Sequence, residues 1–179
     1  SNQAVLDDLK ALDATVSLGI VDLSVERAEA VRLLNAAEIP VVAWQLLPRD
    51  QGYWYTIDNA PAAIAHYAKF QDWTEAYHLS WAGIGIDVET DIREMTAAYH
   101  TPWGVLPRRL ARVFDVERLH RARRLYQKLI ADIRAEGYRV ESYNMGILAE
   151  DRRADTTLSQ RFLGLVDLEV DRDYLMLYT

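Results

Sequence analysis

The feature that most constrains the fold is an alternation of short apolar runs with segments of helical periodicity. Five runs rich in apolar and β-branched residues predict strands, at residues 16–23, 39–47, 82–89, 138–145 and 174–179. Between them, apolar residues recur at helical spacing in residues 24–37, 61–77 and 109–136. Strands that alternate with helices form a mostly parallel sheet covered by helices. We therefore predict a single α/β domain over residues 1–179.

Two architectures satisfy this alternation. An open doubly wound parallel sheet needs only about five strands. A β/α (TIM-type) barrel needs eight strands, usually in about 250 residues. The sequence predicts five strands, or six if residues 165–170 form one, and a short helix at 4–13 precedes the first strand. We favour a β/α barrel that is shortened or a fragment of a longer barrel, and the open doubly wound sheet is the alternative.

Composition narrows the functional classes. The formal net charge is -7, whereas a protein that follows a phosphate backbone needs a basic face, so we expect no nucleic-acid partner. No apolar run approaches the roughly 18 residues that cross a bilayer, so we expect a soluble protein without membrane insertion. The N-terminal residues do not match the pattern of a signal peptide. There are no cysteines, which excludes disulfides, thiolate metal sites and cysteine nucleophiles.

The central motif is Asp87-Val88-Glu89 at the end of the third predicted strand. Residues i and i+2 of a strand point to the same face, so we expect both carboxyl groups to project together. The carboxyl end of a strand is the active-site position of a β/α sheet. We expect the pair to lie in a sheltered hollow lined by other strand ends and by aromatic rings.

Two neighbouring carboxyl groups do not ionise independently. The second proton is held more tightly, which leaves one of the acids protonated near neutral pH. A protonated carboxyl group can protonate a leaving oxygen, and the cleavage of a glycosidic bond requires this step. The motif therefore predicts glycoside hydrolysis by acid catalysis. A structural interpretation is that Asp87 caps the next helix and that Glu89 is solvated.

The region over residues 24–90 resembles the shortened β/α barrels of bacterial and phage muramidases. It contains a helix, the strand-like IPVVAWQLLP, an aromatic loop, a second helix and a strand that ends in Asp-x-Glu. The strand end is more distantly similar to that of chitinase-like barrels. The resemblance implies that Glu89 is the general acid and that Asp87 is its electrostatic partner. In the first strand, Asp22 and Ser24 match the Asp-x-Ser of muramidases.

Other polar residues are predicted near strand ends. Asp22 follows the first strand and is either a third carboxylate of the site or a cap of the next helix. Gln45, Tyr143 and Asn144 lie near the ends of the second and fourth strands, so we expect them to approach the same rim as Glu89 and to bind sugar hydroxyls.

Aromatic residues support a carbohydrate ligand. Tyr53, Trp54 and Tyr55 follow the second strand, and Trp103 lies in a segment interrupted by Pro and Gly after the third strand. Aromatic faces beside carboxylates suit the apolar faces of sugar rings. We predict that these four residues bind a carbohydrate substrate, although they could instead cover the core.

Two other functions remain open. Asp87, Glu89, Asp22 and Glu141 could hold Mg²⁺ or Mn²⁺ in a sugar isomerase or lyase, or the barrel could bind carbohydrate without turnover. The favoured interpretation involves neither a cofactor nor a metal, since the histidines show no ligand spacing. A second Asp-x-Glu at residues 167–169 follows a helix directly, and we expect it to lie away from the rim.

Overall fold

The computed structural model of the protein describes residues 2–176. In this part of the chain, the helices are α1 (Asn2–Ala11), α2 (Val25–Ala36), α3 (Ala60–Tyr77), α4 (Ile92–His100), α5 (Pro102–Val113), α6 (Val116–Ala135), α7 (Ile147–Arg153) and α8 (Leu158–Leu163). The strands are β1 (Val16–Ile20), β2 (Val41–Gln45), β3 (Gly83–Val88), β4 (Val140–Met145) and β5 (Arg172–Met176). None of the helices described in this range combines the length and the hydropathy that crossing a bilayer requires.

The five strands form one parallel sheet in the order β1-β2-β3-β4-β5, so each strand pairs with the next one along the chain. The prediction of an α/β protein with a parallel sheet is confirmed. A doubly wound sheet reverses its strand order at a switch point. The order observed over residues 2–176 contains no reversal, so it differs from the doubly wound alternative.

The two faces of the sheet have different surroundings. On one face, which we call the helix face, apolar strand residues such as Ala43, Ile84 and Ile86 share a buried core with helix residues. The opposite face carries Trp44, Gly85, Asp87, Tyr143 and Tyr174, as the strand register and the alternation of side chains require. We call it the aromatic face.

The helix face is covered mainly by α2, α3 and α6. The side chains that these helices bury are Ala28, Val31, Ala60, Ala63, Tyr67, Phe70, Trp73, Leu119, Ala122, Tyr126, Leu129, Ile130 and Ile133. Full burial of one large apolar side chain contributes about 1.5–3 kcal/mol, so this layer is the main stabilising contact of the sheet. Ser24 caps α2, because its side chain accepts a hydrogen bond from the Arg27 amide.

Three predicted elements differ from the structure. The long helix expected at 109–136 is divided into α5 and α6, since Asp115 caps α6 by accepting from the Arg118 amide at 3.0 Å. Phe114, an apolar residue within that predicted helix, is 85% exposed at the division. Residues 165–170 form no strand. The last predicted strand begins earlier, at Arg172, and residues 177–179 lie outside the described range.

Asn59 organises the loop between β2 and α3. Its Oδ1 accepts hydrogen bonds from the Thr56 amide at 2.8 Å and from the Tyr126 hydroxyl at 3.1 Å. Its Nδ2 donates to the carbonyl oxygens of Gln51, at 3.1 Å, and Trp54, at 2.8 Å. The side chain is buried, so it fixes the aromatic loop to the helical layer from inside.

We expect Asn59→Ala to lower the free energy of unfolding by about 2–3 kcal/mol, because buried donors and acceptors lose their partners. Urea denaturation measures the change. Asn35→Ala is the matched control, since Asn35 also joins two backbone groups, those of Ser80, but in an exposed position. If Asn59→Ala lowers the free energy of unfolding by no more than Asn35→Ala does, the role of Asn59 in fixing the loop is contradicted.

Candidate active site at the end of β3

Asp87 and Glu89 lie where β3 ends. Residues 83–90 are all buried, and Asp87 and Glu89 are 1% and 6% exposed. Asp87 points to the aromatic face, Glu89 follows the last residue of β3, and the charge of Glu89 acts on Asp87. The two carboxyl groups are therefore close to each other, as the sequence predicts, and neither is free in solvent.

Burial, and after it the neighbouring charge of Glu89, raise the pKa of Asp87 to about 8. The Trp44 Nε1 donates to Asp87 Oδ2 at 3.1 Å, which acts in the opposite direction. Asp87 Oδ1 is buried and has no hydrogen-bond partner among the described residues. A carboxyl group with this pKa holds its proton at neutral pH, so Asp87 can serve as an acid.

A row of aromatic rings crosses the sheet beside Asp87. The ring centroids of Trp44 and Tyr143 are 5.2 Å apart, and those of Tyr143 and Tyr174 are 5.3 Å apart. The row passes over Gly85, where a Cβ atom would lie 2.7 Å from Tyr143 Cε2. Because atoms cannot approach so closely, the row depends on the absence of a side chain at position 85.

The aromatic face is concave. The hydroxyl groups of Tyr143 and Ser17 are 2.9 Å apart, although β4 and β1 are three strands apart in the sheet. In a flat sheet these strands would be separated by about 14 Å, which is more than the two side chains can bridge even when they lean toward each other across the sheet. The sheet therefore curves around Tyr143, and the acid pair lies on the inner side of the curve.

The aromatic loop after β2 reaches the end of β3. The Tyr55 amide donates to the Asp87 carbonyl at 2.8 Å, and the Ile92 amide donates to the Gly52 carbonyl at 3.2 Å. Within this loop, Tyr53 and Trp54 are half-buried and their rings meet edge to face, with centroids 5.3 Å apart. The predicted position of the loop at this end of the sheet is confirmed.

Tyr55 has a different environment from its two neighbours. It is fully buried, and its ring stacks on Tyr126 of α6 at 5.8 Å. Burial raises the pKa of its hydroxyl group well above the ordinary value. The prediction that Tyr55 binds a carbohydrate is wrong in this geometry, because the side chain belongs to the core.

Gln45 and Asn144 lie on the helix face of the sheet, not on the aromatic face beside the acid pair. Gln45 is in register with Ile86, and Asn144 with Val88, so both point to the helix face. They are 1% and 0% exposed. The expectation that they approach the rim beside Glu89 is therefore wrong. Tyr143 pairs with Asp87 and does lie on the aromatic face, as predicted.

Asp22 is held by its own helix start. Its carboxylate binds Arg27 Nη2 at 2.8 Å and accepts from the Ser24 amide at 3.2 Å. The Arg27 guanidinium holds the pKa of Asp22 well below its usual range. These contacts match the alternative that we gave for Asp22, an interaction at the start of the helix.

Trp103 lies on α5 and is 80% exposed. It shares one side of that helix with Leu110 and Phe114, which are also exposed, rather than with the acid pair. The segment around it is a helix and not the irregular connection that we predicted. Pro102 in its first turn is compatible with a helix start, and the helix continues past Pro107 in its interior.

The four acids proposed as metal ligands do not lie together around one point. Among residues 2–176, no group of three or more His, Asp or Glu side chains is placed to hold a metal ion. Glu141 lies on the aromatic face near Tyr143, whose hydroxyl is 3.4 Å from its Oε2, and near Arg172 Nη1 at 3.8 Å. Asp22 is bound to Arg27, so the set of four carboxylates has no common centre.

Five surface cavities in the described region have volumes between about 200 and 460 Å³. None of these five is lined by Asp87 or Glu89. The sheltered hollow that we predicted around the pair is therefore not one of them. The second Asp-x-Glu lies apart from the pair, as expected, because Asp167 binds Arg152 and lines two of these cavities.

Sequence reasoning missed two residues of the site, Trp44 and Tyr174. Trp44 contacts Asp87 directly, and Tyr174 ends the aromatic row. Gly85 is the signal that was available, since a glycine two residues before Asp87 leaves room on the same face. The strand register that brings Trp44 opposite Gly85 follows only from the folded structure.

Comparisons with protein-family models, with curated proteins and with solved structures find no match to this chain. The site is therefore interpreted from its own geometry and chemistry.

The raised pKa of Asp87 predicts how stability depends on pH. The folded protein keeps the proton to about pH 8, whereas the unfolded chain loses it near 3.8. Stability is therefore lost as the pH rises through this window, by up to about 1.4 kcal/mol per pH unit. We expect the free energy of unfolding to fall relative to Asp87→Asn between pH 4 and 8, as measured by urea denaturation at each pH.

Asp22→Asn is a control for which the contribution to stability should change with pH in the opposite direction. The pKa of Asp22 is lowered, so its contribution is present above pH 4 and lost as the pH falls below that value. Parallel stability curves for the wild type and Asp87→Asn between pH 4 and 8 would show that Asp87 has an ordinary pKa.

Proposed function

We propose that the protein is a glycoside hydrolase that cleaves a polysaccharide or another glycan by acid catalysis from Asp87 and Glu89. One observation carries the proposal. Asp87 is buried beside Glu89 with its pKa raised to about 8, on a concave face lined with aromatic rings. A carboxyl pair in which one member keeps its proton at neutral pH is what protonation of a leaving oxygen requires.

In this mechanism the pair holds one proton, which lies on Asp87 in the resting protein. Glu89 is the less buried acid and the last of the two along the strand, so it presents the proton to the glycosidic oxygen. Asp87 transfers its proton to Glu89 as Glu89 protonates the leaving group. The Asp87 carboxylate that results stabilises the positive charge that develops on the sugar ring.

The aromatic face supports a carbohydrate ligand. Trp44 is half-buried and bonded to Asp87, so a sugar ring that reaches the pair stacks on Trp44. Tyr143 and Tyr174 continue the platform away from the acids. Flat rings next to hydrogen-bonding groups suit the mixed apolar and polar surface of a sugar.

We also propose that the sheet is part of a β/α barrel, shortened or continued in a longer protein. The strands follow one another in chain order and are all parallel, as in such a barrel. The bond between Tyr143 and Ser17 supports curvature in the direction that closes a barrel around the acid pair.

The proposal predicts that Glu89→Gln and Asp87→Asn each lower hydrolysis by about 10²–10⁴-fold, because each removes an acid through which the proton passes. Release of reducing ends from purified peptidoglycan and from chitin oligomers measures the rate. We expect wild-type activity to decline above about pH 8, where Asp87 loses its proton.

Glu169→Gln is the matched control, because Glu169 belongs to the second Asp-x-Glu and is exposed outside the site. The control should retain wild-type activity. If the wild type hydrolyses the glycan and the Glu89→Gln and Asp87→Asn variants both keep the wild-type rate, the assignment of the pair is overturned.

Carbohydrate binding without turnover is a second candidate function, and the aromatic row favours it independently of the acids. Tyr174 is 40% exposed at the end of the row, where it can stack on a sugar ring without any catalytic step. Under this function the glycan binds but is not cleaved.

We expect Tyr174→Ala to weaken glycan binding about two- to tenfold, since loss of one aromatic contact is worth about 0.5–1.5 kcal/mol. Isothermal titration calorimetry of the Glu89→Gln protein separates binding from hydrolysis. Tyr99→Ala is the control, because Tyr99 is an exposed tyrosine on α4. Equal glycan affinities of Tyr174→Ala and Tyr99→Ala would show that the aromatic row is not part of the binding site.

A further inference from the structure

Helix α5 is amphipathic, but its apolar side faces solvent. Trp103, Leu110 and Phe114, at the C-terminal boundary of the helix, lie on one side at helical spacing and are 80%, 50% and 85% exposed. The arginines on the opposite side face the protein, with side chains of Arg109 and Arg112 only 13% and 10% exposed. This orientation is the reverse of that expected for a surface helix.

The arginines hold α5 in this orientation. Arg112 binds Glu94 of α4 at 2.5 Å and Asp58 at 3.3 Å. Arg109 lies 3.7 Å from the same Glu94 carboxylate. Rotation of the helix to bury its apolar side would break these partly buried ion pairs and leave their charges without partners, which is costly. The apolar stripe of Trp103, Leu110 and Phe114 is therefore a fixed feature of the surface.

The stripe exposes about half of the area that one partner buries in a standard interface. Large aromatic side chains present about 150–250 Å² each, so Trp103 and Phe114 with Leu110 expose on the order of 400 Å². A standard interface buries about 800 Å² on each partner. Flanking residues of α4 such as Tyr99, which is 88% exposed, are available for the remainder.

We propose that the stripe binds a second copy of this chain, with two α5 helices packed antiparallel about a two-fold axis. Such an axis, placed midway along the stripe, sets Trp103 against the partner's Phe114 at both ends. These residues are eleven positions apart, or about 16 Å along a helix. A two-fold contact needs one self-complementary surface, and an uncharged stripe meets this requirement without an outside partner.

Charge argues against an anionic lipid surface as the occupant. A helix that binds such a surface carries exposed cations beside its apolar side. Arg109 and Arg112 are turned inward and paired, which leaves Arg108, 72% exposed, as the exposed arginine of α5.

Sedimentation equilibrium tests the proposal. The chain has a mass of 20.5 kDa, and we expect the wild type to sediment at twice that value. Trp103→Ser combined with Phe114→Ser should raise the dimer dissociation constant at least a hundredfold, with an unchanged circular dichroism spectrum. Leu12→Ser is the matched control, since Leu12 is 76% exposed in the turn after α1 and outside the stripe, and it should leave the dimer intact.

A second measurement does not depend on the double variant. The chain contains no cysteine, so Leu110→Cys introduces a unique thiol near the proposed axis. A short bismaleimide should join two Leu110→Cys chains but not two Leu12→Cys chains. A monomeric wild type at 100 μM would overturn the proposal, as would a dimer that resists the double substitution. Vesicle binding of a monomer through Trp103 and Phe114 would assign the stripe to lipid instead.

Discussion

The contact between Tyr143 and Ser17 is the constraint on which the candidate site depends. It joins β4 to β1 across the two strands between them, which requires the sheet to curve toward the aromatic face. Gly85 makes this contact compatible with packing, because a side chain at this position would collide with the Tyr143 ring. The Tyr143 ring also contacts Trp44, and the Trp44 side chain donates a hydrogen bond to Asp87. Curvature, the aromatic row and the environment of the acid are thus parts of one arrangement.

The acid pair and the α5 stripe are both exceptions to ordinary burial. At the end of β3, carboxyl groups are buried where apolar residues would be more stable, and one of them keeps its proton as a result. On α5, apolar residues are exposed while Arg112 is paired inside. Departures from the usual pattern concentrate at functional surfaces, because stability alone does not favour them. This is the physical basis for assigning chemistry to the first and association to the second.

Much of the fold could be predicted from local sequence. The five strands and the helices α2 and α3 were found from periodicity, because each buries one face and that burial sets the spacing of apolar residues. The boundary between α5 and α6 was missed, since Arg109 and Phe114 fit an uninterrupted helical pattern. The break depends on the Asp115 cap, and an aspartate within an apolar periodic pattern does not by itself mark the start of a new helix.

For the site itself, the sequence alone determined that Asp87 and Glu89 lie together at a strand end, because an apolar run that ends in two nearby acids is a local property. The tertiary structure decided everything that depends on neighbouring strands. The register of β2 against β3 directs Trp44 to Asp87 and Gln45 to the core, and a shift of one residue would exchange them. The proton on Asp87 likewise reflects burial and a neighbouring charge, both of which arise only when distant segments of the chain meet.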